Sequence, residues 1–170
     1  MPSQSPSPIR KLLFALFSLL ALATLITAWP LHLTHIRADN SADPWTAAQA
    51  VQPADFAKEL ASATSENKPT IVCVGFHPLF AGAHIPGASF HGSASTAAGL
   101  ENLKDWAKGQ PRSANIVLYC GCCPLAHCPN IRPAFLAMRD MGFTHLRVLI
   151  LPNDFNTDWI AKGYPVEKPK

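Results

Sequence analysis

No block of like charge stands out in this chain, and that absence removes a first class of partner. Charged residues make up only 15% of the 170 residues, and the formal net charge is +3. Residues 1–40 carry Arg10, Lys11 and Arg37 against a single Asp39, and the remainder holds 11 basic and 10 acidic residues. Binding a phosphate backbone takes a concentrated basic face, so nucleic acid is not expected as a partner. The sequence also lacks an internal repeat and has no low-complexity tract beyond its Ser/Pro-rich first nine residues. No cysteine follows the N-terminal apolar run to take a lipid.

That run is the strongest feature of the N-terminal part. Leu12 to Trp29 is apolar apart from Ser18, Thr24 and Thr27, and it follows the basic pair Arg10 and Lys11. A signal core usually takes ~7–15 apolar residues and a bilayer span ~17–25, so the run lies nearer a span. Ile26-Thr27-Ala28 still offers a cleavage site. Residues 1–30 are therefore expected to be a signal peptide or a membrane anchor, with membrane contact through residues 12–29. Basic residues ahead of the run hold the N-terminus inside and place the rest of the chain on the periplasmic or extracellular side. The polar stretch from His32 to Asp43 completes a linker over residues 31–43. Residues 44–170 remain for a domain, and a chain 48% hydrophobic at this length supports one core.

Within the domain, strand and helix patterns alternate. Thr70-Ile71-Val72-Cys73-Val74, Asn115-Ile116-Val117-Leu118-Tyr119 and Leu146-Arg147-Val148-Leu149-Ile150-Leu151 are β-branched or apolar runs of strand length. Runs apolar on both faces suit a parallel sheet covered by helices. Phe56 and Leu60 lie four apart, Leu100, Leu103, Trp106 and Ala107 keep helical spacing before Gly109, and Ala134, Phe135, Ala137, Met138 and Met141 form a stripe that ends at Gly142. Pro133 fits the first turn of that helix. Asp154 to Ala161 predicts a last short helix before Gly163. The class that follows is α/β with an open, mostly parallel sheet.

Four of the five cysteines crowd into one place: Cys120, Cys122, Cys123 and Cys128. Cys120 ends the second strand run, and ligand sites of open α/β sheets lie beyond the carboxyl ends of strands. The peptide from Gly121 to Arg132 then joins a strand to a helix. Such a loop can turn its N–H groups on one point while the helix adds its positive end, and a thiol there ionises more readily. Cys120 is the candidate nucleophile, with Gly121, Cys122, Cys123, His127, Cys128, Asn130 and Arg132 as its loop.

The order and spacing of several segments resemble the rhodanese family. Ala83-His84-Ile85-Pro86-Gly87-Ala88 is similar to the family's GHIPGA, Ile116 to Cys120 to the strand that ends in the active-site cysteine, and Gly142-Phe143 precedes a strand as in the family. Trp159 with Gly163-Tyr164-Pro165-Val166 is similar to its closing W-x-x-x-G-Y-P-V, and the resemblance spans nearly all of residues 44–168. It implies a five-stranded parallel sheet flanked by helices. It also implies sulfur transfer, in which Cys120 takes a sulfane sulfur from a small donor and passes the persulfide on to a thiol or cyanide, with no cofactor beyond that persulfide. Three places depart from the family: Cys73 and Gly75 stand where an Asp-x-Arg is common, the cysteine loop is expanded, and Pro152-Asn153 replaces a pair of glycines.

Other uses of the loop stay open, and one that can coexist with sulfur transfer is thiol–disulfide exchange, in which Cys122, Cys123 or Cys128 resolves a persulfide or mixed disulfide on Cys120. Cys122, Cys123, His127 and Cys128 are soft donors that can hold zinc or Cu(I), which would make the chain a non-catalytic binding module for a metal or redox partner. In an oxidising compartment a loop disulfide is expected, with Cys128 as a partner, because the Cα atoms of Cys122 and Cys123 are ~3.8 Å apart and a disulfide wants ~4.4–6.8 Å. Arg132 can face an anionic donor or solvate the first turn of its helix. His84 reads as a hydrogen-bonding turn residue, and Trp159 and Cys73 as core.

Overall fold

Alternation of side chains along the central strands divides the core in two. The structure is a computed structural model that describes residues 43–168, so the expected anchor at residues 1–30 and all but the end of the 31–43 linker lie outside it. Among the described residues, no helix is long and apolar enough to cross a membrane. The strands are β1 (Ala50–Val51), β2 (Thr70–Cys73), β3 (Ser89–Phe90), β4 (Ile116–Tyr119) and β5 (Leu146–Leu149), and they form one parallel sheet in the order β1-β5-β4-β2-β3. The helices are α1 (Pro53–Ser62), α2 (His77–Gly82), α3 (Ala97–Lys108), α4 (Ile131–Asp140) and α5 (Phe155–Asp158).

Because successive residues of a strand point to opposite faces, Val72 and Val74 of the β2 segment join Ile116, Leu118 and Cys120 on one side, under Leu103 of α3 and Phe135 and Met138 of α4. Ile71 and Cys73 join Val117, Tyr119 and Leu149 on the other, under Phe56 of α1 and Trp159. Burying side chains of this size stabilises the fold by about 1.5–3 kcal/mol each. Trp45 closes the first layer edge-on to Phe135, with ring centroids 5.6 Å apart.

Local signals explain the helix ends. Pro53 occupies the first turn of α1, where a missing N–H costs nothing. Thr96 Oγ1 accepts the Gly99 N–H at 3.0 Å to start α3, and Asp154 Oδ1 accepts the Thr157 N–H at 2.6 Å to start α5. The expected helix over Asp154–Ala161 is shorter than its pattern: Trp159 leaves helical geometry at φ −124° and ψ −63°, and a separate 3-10 turn follows over Ile160–Lys162. Trp159 turns because its side chain is sealed in the core and its Nε1 donates to Pro165 O at 2.8 Å.

Chain order places a crevice. Connections from β4 run toward β5, those from β2 run toward β3, and β4 and β2 are neighbours. Between strands that diverge in this way the loops separate beyond the carboxyl ends and leave room for a ligand. Cys120 follows β4 and Gly75 follows β2 at that position.

Candidate active site

Two glycines make room for Cys120. Gly121 adopts φ +69°, and a Cβ there would lie 2.6 Å from Phe155 Cβ, so the chain turns sharply out of β4 only with glycine at this position. A Cβ on Gly75 would sit 3.0 Å from Cys120 O and 3.2 Å from Cys120 Sγ. The position where an acidic or basic partner was absent from the sequence is thus where the sulfur needs open space.

The loop brings three sulfurs together. Sγ atoms of Cys120, Cys122 and Cys128 all lie within 4.8 Å of one another, and Cys120 and Cys122 are 3.0 Å apart. Cys123 extends the group from the outside, 3.4 Å from Cys122 Sγ. The five cysteines carry no disulfide in the structure, and the Sγ of Cys128, the expected bridge partner, lies within 4.8 Å of those of both Cys120 and Cys122. His127 is exposed on a 3-10 turn and lies outside the three-sulfur group.

Asn130 is fully buried and orients the group. Its Oδ1 accepts the Ser95 N–H at 2.8 Å, which turns its amide nitrogen toward Cys120 Sγ at 3.5 Å and Cys122 Sγ at 3.6 Å. Sequence alone placed Asn130 in the loop without this role; a partner 35 positions away carries no local signal. Arg132 serves neither use expected of it. Its guanidinium donates to Asp43 Oδ1 at 2.6 Å and Leu125 O at 3.0 Å and lies over the Trp45 ring, which ties the loop to the start of the domain.

The thiols do not ionise alike. Facing the Cys120 thiol, and next to the backbone N–H groups of Asn130 and Ile131 at the start of α4, Cys128 is held down at about 5 despite its burial. Cys120 is pushed upward, first by Cys128 and then by burial, with the Cys122 backbone N–H working against both. The two titrate as a coupled pair around a shared proton, with Cys128 drawn down and Cys120 pushed up. Burial and the neighbouring Cys122 thiol push Cys123 up to about 12.

A groove of about 400 Å³ opens beside the loop, lined by Pro78, Leu79, Gly121, Cys122, Asp154 and Phe155 among others. It meets the sulfur group at Cys122. The turn that begins at His84 pairs with the closing segment of the domain at Glu167. His84 and Glu167 exchange backbone hydrogen bonds at 2.9 and 2.8 Å, and Gly87 N–H donates to the Glu167 carboxylate at 3.0 Å. His84 Nδ1 contacts Phe80 O at 2.9 Å while its ring stacks on Phe80, so it is a buried structural residue of the turn.

No family model and no curated protein matches the chain. Solved structures do. The rhodanese-like domain of the Alr3790 protein from Anabaena sp. is 23% identical, with 71% of this chain and 80% of that one covered at a TM-score of 0.53. The BH2092 protein from Bacillus halodurans is 19% identical, with coverage of 70% and 76% and a TM-score of 0.54. A crystal structure of Alr3790 gives 20% identity, coverage of 69% and 91%, and a TM-score of 0.51. The five-stranded parallel sheet with its flanking helices is a rhodanese-like fold, with a three-sulfur loop at its switch point.

Proposed function

We propose that this domain is an exported sulfurtransferase that carries sulfane sulfur as a persulfide on Cys120. The position of Cys120 carries the reading: it ends the central strand at the crevice, beneath the Asn130 amide and beside a thiol that takes up negative charge. Transfer of the shared proton to Cys128 leaves Cys120 as the thiolate. Its sulfur then attacks the outer sulfur of a small donor such as thiosulfate. The donor's S–S bond breaks, sulfite leaves with the electron pair, and the outer sulfur remains on Cys120. Asn130 Nδ2 and the start of α4 stabilise the charged persulfide, which passes its outer sulfur to a thiol or to cyanide. The apolar run over residues 12–29 supports export and membrane anchoring.

A second reading rests on the three sulfurs within 4.8 Å, an all-thiol set suited to a soft cation in a non-catalytic binding module. The test offers thiosulfate, 3-mercaptopyruvate or polysulfide to the reduced protein with cyanide as acceptor, compares wild type with Cys120→Ser, and measures bound metal in parallel. Turnover that disappears in the variant is expected. No turnover with any donor, together with stoichiometric zinc or copper, would replace the enzyme with the binding module.

A further inference from the structure

Cys122 has no part in the loading step, yet its sulfur lies 3.0 Å from that of Cys120. A disulfide measures about 2.05 Å, so the two sulfurs are about 1 Å from bonding distance. Cys122 also lines the groove, whereas Cys120 and Cys128 are 8% and 3% exposed. Of the remaining thiols, Cys123 stands outside the three-sulfur group and contacts Cys122 instead. Cys128 is the most deeply buried of the loop cysteines, at the start of α4. Cys122 is the thiol with both proximity to Cys120 and a way out to solvent.

We propose that Cys122 resolves the persulfide internally, so that the domain releases its sulfur as sulfide and is left with a Cys120–Cys122 disulfide. This rests on the reading that Cys120 is loaded with sulfur. Cys122 Sγ attacks the inner sulfur, Cys120 Sγ. The bond from Cys120 to the outer sulfur breaks, the outer sulfur takes the electron pair and the Cys122 proton, and it departs through the groove as HS⁻. The outer sulfur is reduced by two electrons and the two cysteine sulfurs are oxidised by the same two. A dithiol reductant, a protein or small molecule with two neighbouring thiols, returns the loop to its starting state by thiol–disulfide exchange. The overall reaction is the reduction of sulfane sulfur to sulfide at the expense of a dithiol.

The test uses the full-length chain, reduced and then freed of small thiols by gel filtration. It is treated with thiosulfate, and separately with polysulfide followed by a second gel filtration, with no acceptor added. Released sulfide is measured, and peptides are mapped by mass spectrometry. Wild type should release one sulfide per chain and lose two hydrogens from the peptide that holds Cys120 and Cys122. Cys122→Ser should keep one added sulfur on Cys120 and release at least about tenfold less sulfide, since thiol exchange requires the attacking sulfur. Wild-type protein that keeps the added sulfur, equal sulfide release from Cys122→Ser, or a bridge to Cys123 or Cys128 would each overturn the proposal. If Cys122→Ser takes up no sulfur on Cys120 from either donor, the sulfurtransferase reading fails and this proposal fails with it.

Discussion

Cys73 and Cys120 close neighbouring strands of the same sheet, one residue out of step, and only one of them has the surroundings of a nucleophile. Cys73 pairs across the ladder with Tyr119, so it faces the α1 side of the sheet while Cys120 faces α3 and α4. Burial does not separate them, at 3% and 8% exposed. What separates them is polar lining. Burial dominates at Cys73 and pushes it up to about 11, with only the Gly75 N–H and the Tyr119 hydroxyl opposing. Cys120 meets two thiols, the Asn130 amide nitrogen and the Cys122 backbone N–H. A one-residue step along a strand therefore decides whether a thiol enters a sealed core or a crevice.

The largest effect should come from exchanging the two sulfurs for hydroxyls. Cys120→Ser is expected to lower sulfur transfer on the order of a thousandfold or more, because a hydroxyl of ordinary pKa is a poor nucleophile, with little change in Tm. Cys73→Ser should leave transfer within about twofold and cost roughly 1–3 kcal/mol of stability through a buried hydroxyl. Turnover assays and thermal melts of both variants would break the comparison if the effects were reversed.

Asn130→Ala comes next. It removes the donor to Cys120 and the acceptor of the Ser95 N–H, so transfer should fall about tenfold to a hundredfold, with roughly 0.5–1.5 kcal/mol of stability lost. A fall in stability alone would make Asn130 a purely structural residue.

The pH dependence of stability sharpens the account of the paired thiols. Cys128 is depressed from an ordinary 9.0 to about 5, so between those values the unfolded chain binds a proton that the folded chain does not. Stability from this group is therefore fully present above about pH 9 and is lost as pH falls through about 5. The Tm advantage of reduced wild type over Cys128→Ser should widen as pH rises from 5 toward 9. An advantage that is flat or shrinks over that range would place the negative charge elsewhere. The smallest effect is expected from Asp43→Ala, which breaks a partly exposed ion pair with Arg132 and should cost about 0–1 kcal/mol, read as a small shift in Tm.

The sequence made the three inner strands, the larger helices and the position of Cys120 legible because each depends on local pattern. The edge strands β1 and β3 were not legible: each pairs over only two residues, too short for any periodicity to register. Helix α2 spans six residues and was hidden for the same reason. The loop was recognisable by its cysteines, but its internal arrangement was not. Which thiol faces which depends on Asn130 reaching back to Ser95, on Gly121 turning against Phe155, and on Arg132 reaching Asp43 across 89 positions. Those are tertiary contacts, and His127, an equally plausible donor by spacing, is carried outward by the turn it sits on.

The central claim, that Cys120 is the sulfur carrier while Cys73 is core, is tested most directly by locating the added sulfur in Cys122→Ser protein, where it should be trapped. The reduced variant is exposed to each donor, unreacted donor is removed, and peptides with and without a final reducing step are compared by mass spectrometry. One reducible extra sulfur on the peptide that contains Cys120, and none on that containing Cys73, is the result predicted. Sulfur on Cys73, or on Cys123 or Cys128 with Cys120 unmodified, would contradict it.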